Sequence, residues 1–290
     1  MSKLFHFFVM LFWLIVFSLS GFAQQTPTPT PTPPKESEVK KIEQDIEDIF
    51  RNKKKKSSAS NPADFGDEGV LQIEYSYGGY FRSKDFRSQH AGTLTVTLAA
   101  TEKIGLEFDI DTISTQQDQS FVSAKGVGDS RLGIQFDLLD ESKNAPSFAV
   151  SYFAKLPTAS VNKNLGTGRF DHQISTLFSK KIRGFDVNFN TGLLINGKQG
   201  EKGFVTGGQF ALGVSRDFNQ KLNLQGEVFG ESKDSDEPQG LFGAGIGTYQ
   251  INEKLSLNFG VKIGLTQNSP RYGLTFGVSY SIADIFKKGK

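Results

Sequence analysis

Cysteine is missing altogether from the 290 residues. That removes disulfides, thiolate metal sites, thiol catalysis and a lipoprotein anchor together. A dominant charge is missing too. Lys and Arg number 33 against 31 Asp and Glu, a formal net charge of +2. Nucleic acid, whose phosphates need a basic surface, is excluded as a partner. Beyond the N-terminal stretch no apolar run is long enough for a membrane-spanning helix. A mean hydropathy of -0.32 looks soluble but decides nothing, because alternating strands hide their apolar residues in an average. Histidine is scarce, with His90 and His172 left once the leader is set aside. Asp171 and His172 are adjacent, so on a strand they point to opposite faces. Ser175 diverges from His172 for the same reason, and His90 has no nucleophile beside it. A general base needs a partner within hydrogen-bond reach, so no enzyme is expected. No cofactor and no metal site are expected either. Asp109, Asp111, Asp234, Asp236 and Glu237 suggest a divalent cation site in the loops, but solvated loop charge explains them as well.

Glycine and phenylalanine are plentiful, at 31 and 27. They fall into long alternating runs. Leu255, Leu257, Phe259, Val261, Ile263 and Leu265 alternate with Ser256, Asn258, Gly260, Lys262, Gly264 and Thr266. After a break at 267–270 the pattern resumes, with Tyr272, Leu274, Phe276, Val278 and Tyr280 set against Gly273, Thr275, Gly277 and Ser279. Period two means a strand with one apolar and one polar face. Each run is about twice the ~5–6 residues of a globular strand and suits a tilted bilayer crossing of about 9–11 residues.

The N-terminus reads in pieces. Lys3 precedes an apolar run that ends in Gly21-Phe22-Ala23. This is a secretory signal over 1–23, with an uncleaved anchor helix as the other reading. Residues 24–34 are a Thr/Pro-rich linker, a semi-rigid spacer. Over 35–56 Val39, Ile42, Ile46, Ile49 and Phe50 form one apolar stripe of a short amphipathic helix. That helix is expected in the periplasm as a coiled coil, a lid or a docking arm, or else frayed. Residues 57–68 are a second linker.

From Gly69 the candidate strands are 69–81, 90–100, 102–114, 127–139, 146–157, 169–181, 184–196, 203–217, 219–231, 239–250, 253–266 and 271–282. The faces are least distinct in 169–181 and 239–250. Connections alternate long and short: 82–89 is long, Thr101 tight, 115–126 long, 182–183 tight. Long loops on one side and tight turns on the other mark an outer-membrane barrel. The expected fold is therefore all-β: a transmembrane antiparallel β-barrel of about twelve strands over 69–282, a short N-terminal helix, and a tail over 283–290. Arg271–Val278 resembles the signal by which such barrels engage their insertion machinery, carried by Gly273, Phe276 and Val278. The departure is the tail, since most such proteins stop at an aromatic residue on the last strand.

A second resemblance lies in the middle of the chain. Gly126-Val127-Gly128-Asp129 leads into a strand. Leu156-Pro157-Thr158 closes another, and Leu165-Gly166-Thr167-Gly168-Arg169-Phe170-Asp171 follows. This order is similar to the outer-membrane barrel family tied to the meta pathway of phenol degradation. The resemblance covers roughly residues 70–282. It implies a barrel that passes small molecules, aromatic or apolar ones among them. The alternative is a structural or adhesive barrel whose extracellular loops bind a partner. The implied partners are outer-membrane lipid, the insertion machinery and a small solute. The Gly-x-Gly turns open no helix, so they are not phosphate loops.

If apolar residues face lipid, the opposite face lines the lumen. That places Glu74, Glu107, Asp109, Arg131, Lys155, Asp171, Asp186, Glu227 and Lys262 inside, with Asn188, Asn190, Gln209, Gln225 and Asn258. Charges so confined are expected to pair, with Arg131 at the centre because its planar fork suits carboxylates. The lumen is expected to be narrow, with slight cation preference.

Overall fold

The computed structural model describes residues 58–163, 165–198, 202–232, 240–282 and 285–286. The leader, the first linker, the helix read at 35–56 and the acids at 234–237 lie outside them.

Alternation becomes ladder directly. The strands are β1 (Leu71–Phe81), β2 (Phe86–Thr101), β3 (Ile104–Asp118), β4 (Ser123–Gly126), β5 (Ser130–Leu139), β6 (Ser147–Leu156), β7 (Asp171–Ile182), β8 (Phe185–Gly197), β9 (Phe204–Asp217), β10 (Leu222–Ser232), β11 (Gly240–Gln250), β12 (Leu255–Gly264) and β13 (Tyr272–Ile282). Neighbours in sequence pair antiparallel, and β3 passes to β5 through the four-residue β4, which folds back on the end of β3. The first strand closes the ring with the last, from Leu71 opposite Ile282 to Phe81 opposite Tyr272. Twelve strands therefore form a closed barrel with β4 as a flap on its wall.

The faces are inverted relative to a water-soluble domain. Phe276 is 53% exposed and Phe259 50%, while Asp109 is 3% exposed and Glu227 5%. Leaving a large apolar side chain in water forgoes about 1.5–3 kcal/mol. A belt of them around a ring with a polar interior is what a bilayer selects. No helix among the described residues is long and apolar enough to cross a membrane.

The connections sort by side. One end carries 102–103, 140–146, 183–184, 218–221 and 251–254. The other carries 82–85, the β4 flap, 157–163 with its short turn at Val161–Lys163, 165–170 and 265–271, and β8 and β10 end on it. Arg183 and Gly184 both take positive φ, 51° and 81°, which the two-residue hairpin turn between β7 and β8 requires. At this short-turn rim Lys103 donates to Asp140 at 2.5 Å, and that hydrogen bond raises the lysine above its ordinary pKa.

One expectation is corrected. The connection read at 82–89 shrinks to 82–85, because β2 begins at Phe86 and β3 runs on to Asp118. Pairs such as Gln89 opposite Gln116 keep the ladder going past the apolar belt. Polar residues on both faces erase the alternation without breaking the backbone bonds. The indistinct faces of β7 and β11 have a different cause. Their lumen side carries apolar residues, with Leu177 and Phe242 each 2% exposed.

Candidate functional site

The lumen has two halves of different character. A cavity of about 540 Å³ lies toward the long loops and extends along β1–β3 as far as Gln72, Thr97 and Glu107. Its wall includes Glu107, Asp109, Arg131, Phe153, Lys155, Asp171, Asn190, Gln209 and Lys262, and Ser58, Ala59 and Asn61 line it as well.

On one side of the cavity Lys155 of β6 reaches Asp129 at 3.4 Å and also pairs with Asp171 of β7. Its side chain is 13% exposed, so the ammonium is held by two carboxylates with little water. The loops are tied to the same knot. Ala159 N–H donates to Asp129 Oδ1 at 2.8 Å, and Gly197 N–H donates to Asp171 Oδ1 at 2.8 Å. Thr158 Oγ1 donates to the Gly128 carbonyl at 3.2 Å. A Cβ on Gly166 would sit 2.7 Å from Asp129 Oδ2. The Gly128-Asp129, Thr158 and Gly166–Asp171 pieces of the sequence motif thus meet around one lysine. Asp129 was not among the expected lumen residues, and its place beside a motif glycine was the available signal. Arg131 is displaced from the central position expected of it. It donates to Asp109 Oδ2 at 3.0 Å and lies 5.7 Å from the Phe153 ring, with its side chain 46% exposed to the cavity. The better buried Lys155 bridges two acids.

Across the cavity is an aromatic wall. Phe229 and Phe242 stack at 5.1 Å, and Tyr80 packs on Phe242 at 5.6 Å. Lys262 donates to Tyr80 Oη at 3.1 Å and lies 5.8 Å from the Phe229 ring. Gln209 donates to Ser175 Oγ at 3.0 Å.

The short-turn half is filled along β5 and β7–β10. Residues 58–65, read in the sequence as linker, run inside the barrel as a strap. Glu227 Oε2 accepts from Ser58 Oγ at 2.8 Å, Ser60 Oγ at 3.0 Å and Ser60 N–H at 3.2 Å. Gln225 Nε2 donates to both serine hydroxyls, at 2.6 and 2.9 Å. Asn190 donates to the Ala59 carbonyl at 3.5 Å. Further along, Ala63 N–H donates to Ser179 Oγ at 2.8 Å, and that hydroxyl donates to Asn188 Oδ1 at 2.7 Å. Phe65 N–H donates to Asp137 Oδ2 at 2.9 Å. Ala63 packs with Ala149 and Leu177 in a small apolar core. On the cavity wall Glu74 accepts from Ser279 at 2.7 Å and from Asn258 at 3.4 Å. Asp186 is half-buried on the inner face of β8, near the turn to β7. Sequence reasoning missed Asp137, Gln135 and the strap itself.

The remaining singled-out residues sit elsewhere. Phe276 and Val278 lie on the outer face of β13, 53% and 37% exposed. Gly273 is on its inner face, where a Cβ would come within 3.0 Å of the Gly79 carbonyl. His90 packs edge-on against Phe81 at 4.9 Å, and His172 Nδ1 is 2.8 Å from Tyr152 Oη. Asp111 accepts from Thr93 at 2.6 Å.

Comparison with known proteins agrees with this architecture. The model of the family described as "Putative MetA-pathway of phenol degradation" matches residues 52–282. A search of curated proteins finds no match. Among solved structures, the KdgM porin superposes with a TM-score of 0.51 at 10% identity, covering 73% of this chain and 99% of its own. The KdgM porin in complex with disordered oligogalacturonate gives 0.50 at 10% identity and the same coverage. The P. putida toluene transporter TodX gives 0.42 at 10% identity, covering 77% of this chain and 92% of its own. At such identities a likeness speaks to fold alone, and the fold is that of outer-membrane barrels.

Proposed function

Since the chain belongs to the phenol-degradation MetA-pathway family, we propose that its barrel is a passage for small molecules across the outer membrane, with one-ring aromatic solutes among them. The observation that carries this reading is the cavity of about 540 Å³ in the lumen. Pockets that hold small molecules run to about 300–1,000 Å³. Charged side chains face this cavity on one side and the Tyr80, Phe229 and Phe242 wall on the other. That mixture suits solutes with a ring and a polar group better than long sugars. The reading assigns no catalytic step. His90 and His172 contact aromatic side chains rather than an activated nucleophile. In the same reading lipid covers the apolar belt, the N-terminal segment lies on the periplasmic side, and β13 engages the insertion machinery through Gly273, Phe276 and Val278.

The test is permeation into vesicles that contain the purified protein. Phenol-sized aromatic solutes should enter faster than into protein-free vesicles, and oligosaccharides of several rings should be excluded. Free entry of large oligosaccharides, or no gain for any solute, would overturn it.

A further inference from the structure

We propose that residues 58–65 are a closing strap, seated in the wall of the barrel and released to open the short-turn end. The inference rests on reading the lumen as a passage and goes beyond it, because nothing in that reading requires a moving part.

The seat is built into the wall. Gly213 of β9 and Gly105 of β3 face the strap, and a Cβ at either would overlap Ser60 Oγ or the Phe65 ring. Two glycines thus make room on opposite stretches of wall for a chain that would otherwise collide with it. Glycine inside a strand often marks such a close approach. Glu227 is the anchor. It is 5% exposed and gathers the two serine hydroxyls and the Ser60 N–H. The strap also lines the cavity through Ser58, Ala59 and Asn61, opposite the β1–β3 wall where the cavity reaches down to Gln72, Thr97 and Glu107.

The bonds are of a kind that can open. The donors to Glu227 are hydroxyl and amide groups, and water can take the place of each. The strap's apolar contacts include Ala63 against Ala149 and Leu177 and the Phe65 ring over Gly105. Release needs local opening of this segment alone and leaves the ladders of the barrel intact.

The experiment is single-channel recording on the purified full chain in planar bilayers, with Ser60→Cys and Gly213→Cys combined. A Cβ at Gly213 lies 2.8 Å from Ser60 Cβ, a shift of about an ångström from the ~3.8 Å of a disulfide. The chain has no other cysteine. Oxidation should lock the strap and suppress conductance, and reductant should restore it. Glu227→Ala with Gln225→Ala should raise the open fraction severalfold over the unaltered protein. Equal conductance in the bridged and reduced forms would overturn the strap's role and leave the passage standing. Failure of the bridge to form under oxidant would overturn its seating. Silence in every form, the Glu227→Ala and Gln225→Ala protein included, would overturn the passage and the strap with it.

Discussion

At the long-loop end a single ammonium, Lys155, sits between the carboxylates of Asp129 and Asp171. At mid-height of the wall a single carboxylate, Glu227, gathers neutral donors from a passing segment. Both are buried polar centres in the same wall, yet they differ in what they hold. The lysine fixes loops whose backbone is stitched to its own partners, and losing it would leave two acids side by side. The glutamate holds a chain whose every bond water can replace. Charge paired with charge makes a permanent fixture, and charge solvated by hydroxyls and amides makes a reversible one.

The largest expected effect tests the fixture. Lys155→Ala strands Asp129 and Asp171, and breaking a buried pair by removing one partner costs about 3–5 kcal/mol. Urea unfolding followed by tryptic cleavage within 157–170 should report it. Adding Asp129→Asn and Asp171→Asn should recover most of the loss, and no recovery would mean that charge is not what the knot balances. Next comes the wall that both centres share. Phe276→Arg on the lipid face should cost about 2–4 kcal/mol near the midplane, and Thr275→Arg on the lumen face much less. Equal costs measured by refolding into lipid would remove the inside-out assignment. Third is the reversible centre. Glu227→Ala should cost about 1–3 kcal/mol, the range for leaving buried donors unsatisfied, with faster proteolysis confined to the strap. A loss as large as that of Lys155→Ala would erase the contrast. Smallest is Arg131→Ala. Its side chain is nearly half exposed, so water in the cavity can reach the Asp109 carboxylate that it leaves, and the cost should stay near the about 0–1 kcal/mol of exposed pairs. Unfolding should barely change while conductance rises.

These centres were not equally visible in the sequence. The wall was legible almost throughout, because alternation states the face of each residue and the bilayer enforces it. Residues such as Glu74, Asn188 and Lys262 could be placed inward from parity alone. The knot was half legible. Lys155 and Asp171 had inward parity, and Asp129 stood in a quoted motif, but which acid meets which base depends on register between strands. The strap was not legible. Ser58-Ala59-Ser60-Asn61-Pro62-Ala63 has no periodicity and only small or polar side chains, so it reads as linker. Its trace lay on the wall instead, in glycines at 105 and 213 and in the inward apolar residues Ala149 and Leu177. Those matter only once a segment is known to lie against them.

The seam where Leu71 meets Ile282 also sets an order of assembly. Eleven of the wall's pairings join strands that follow one another and can zip as hairpins while the sheet is still open. The twelfth joins residues from opposite ends of the domain, and closing so long a loop costs the most chain entropy. The sheet therefore curls before it seals. The strap leads directly into β1, one of the two strands at that seam, so it can be laid against Gly213 and Glu227 while the sheet is still open. Ring closure then traps it, with no need to thread a finished cylinder.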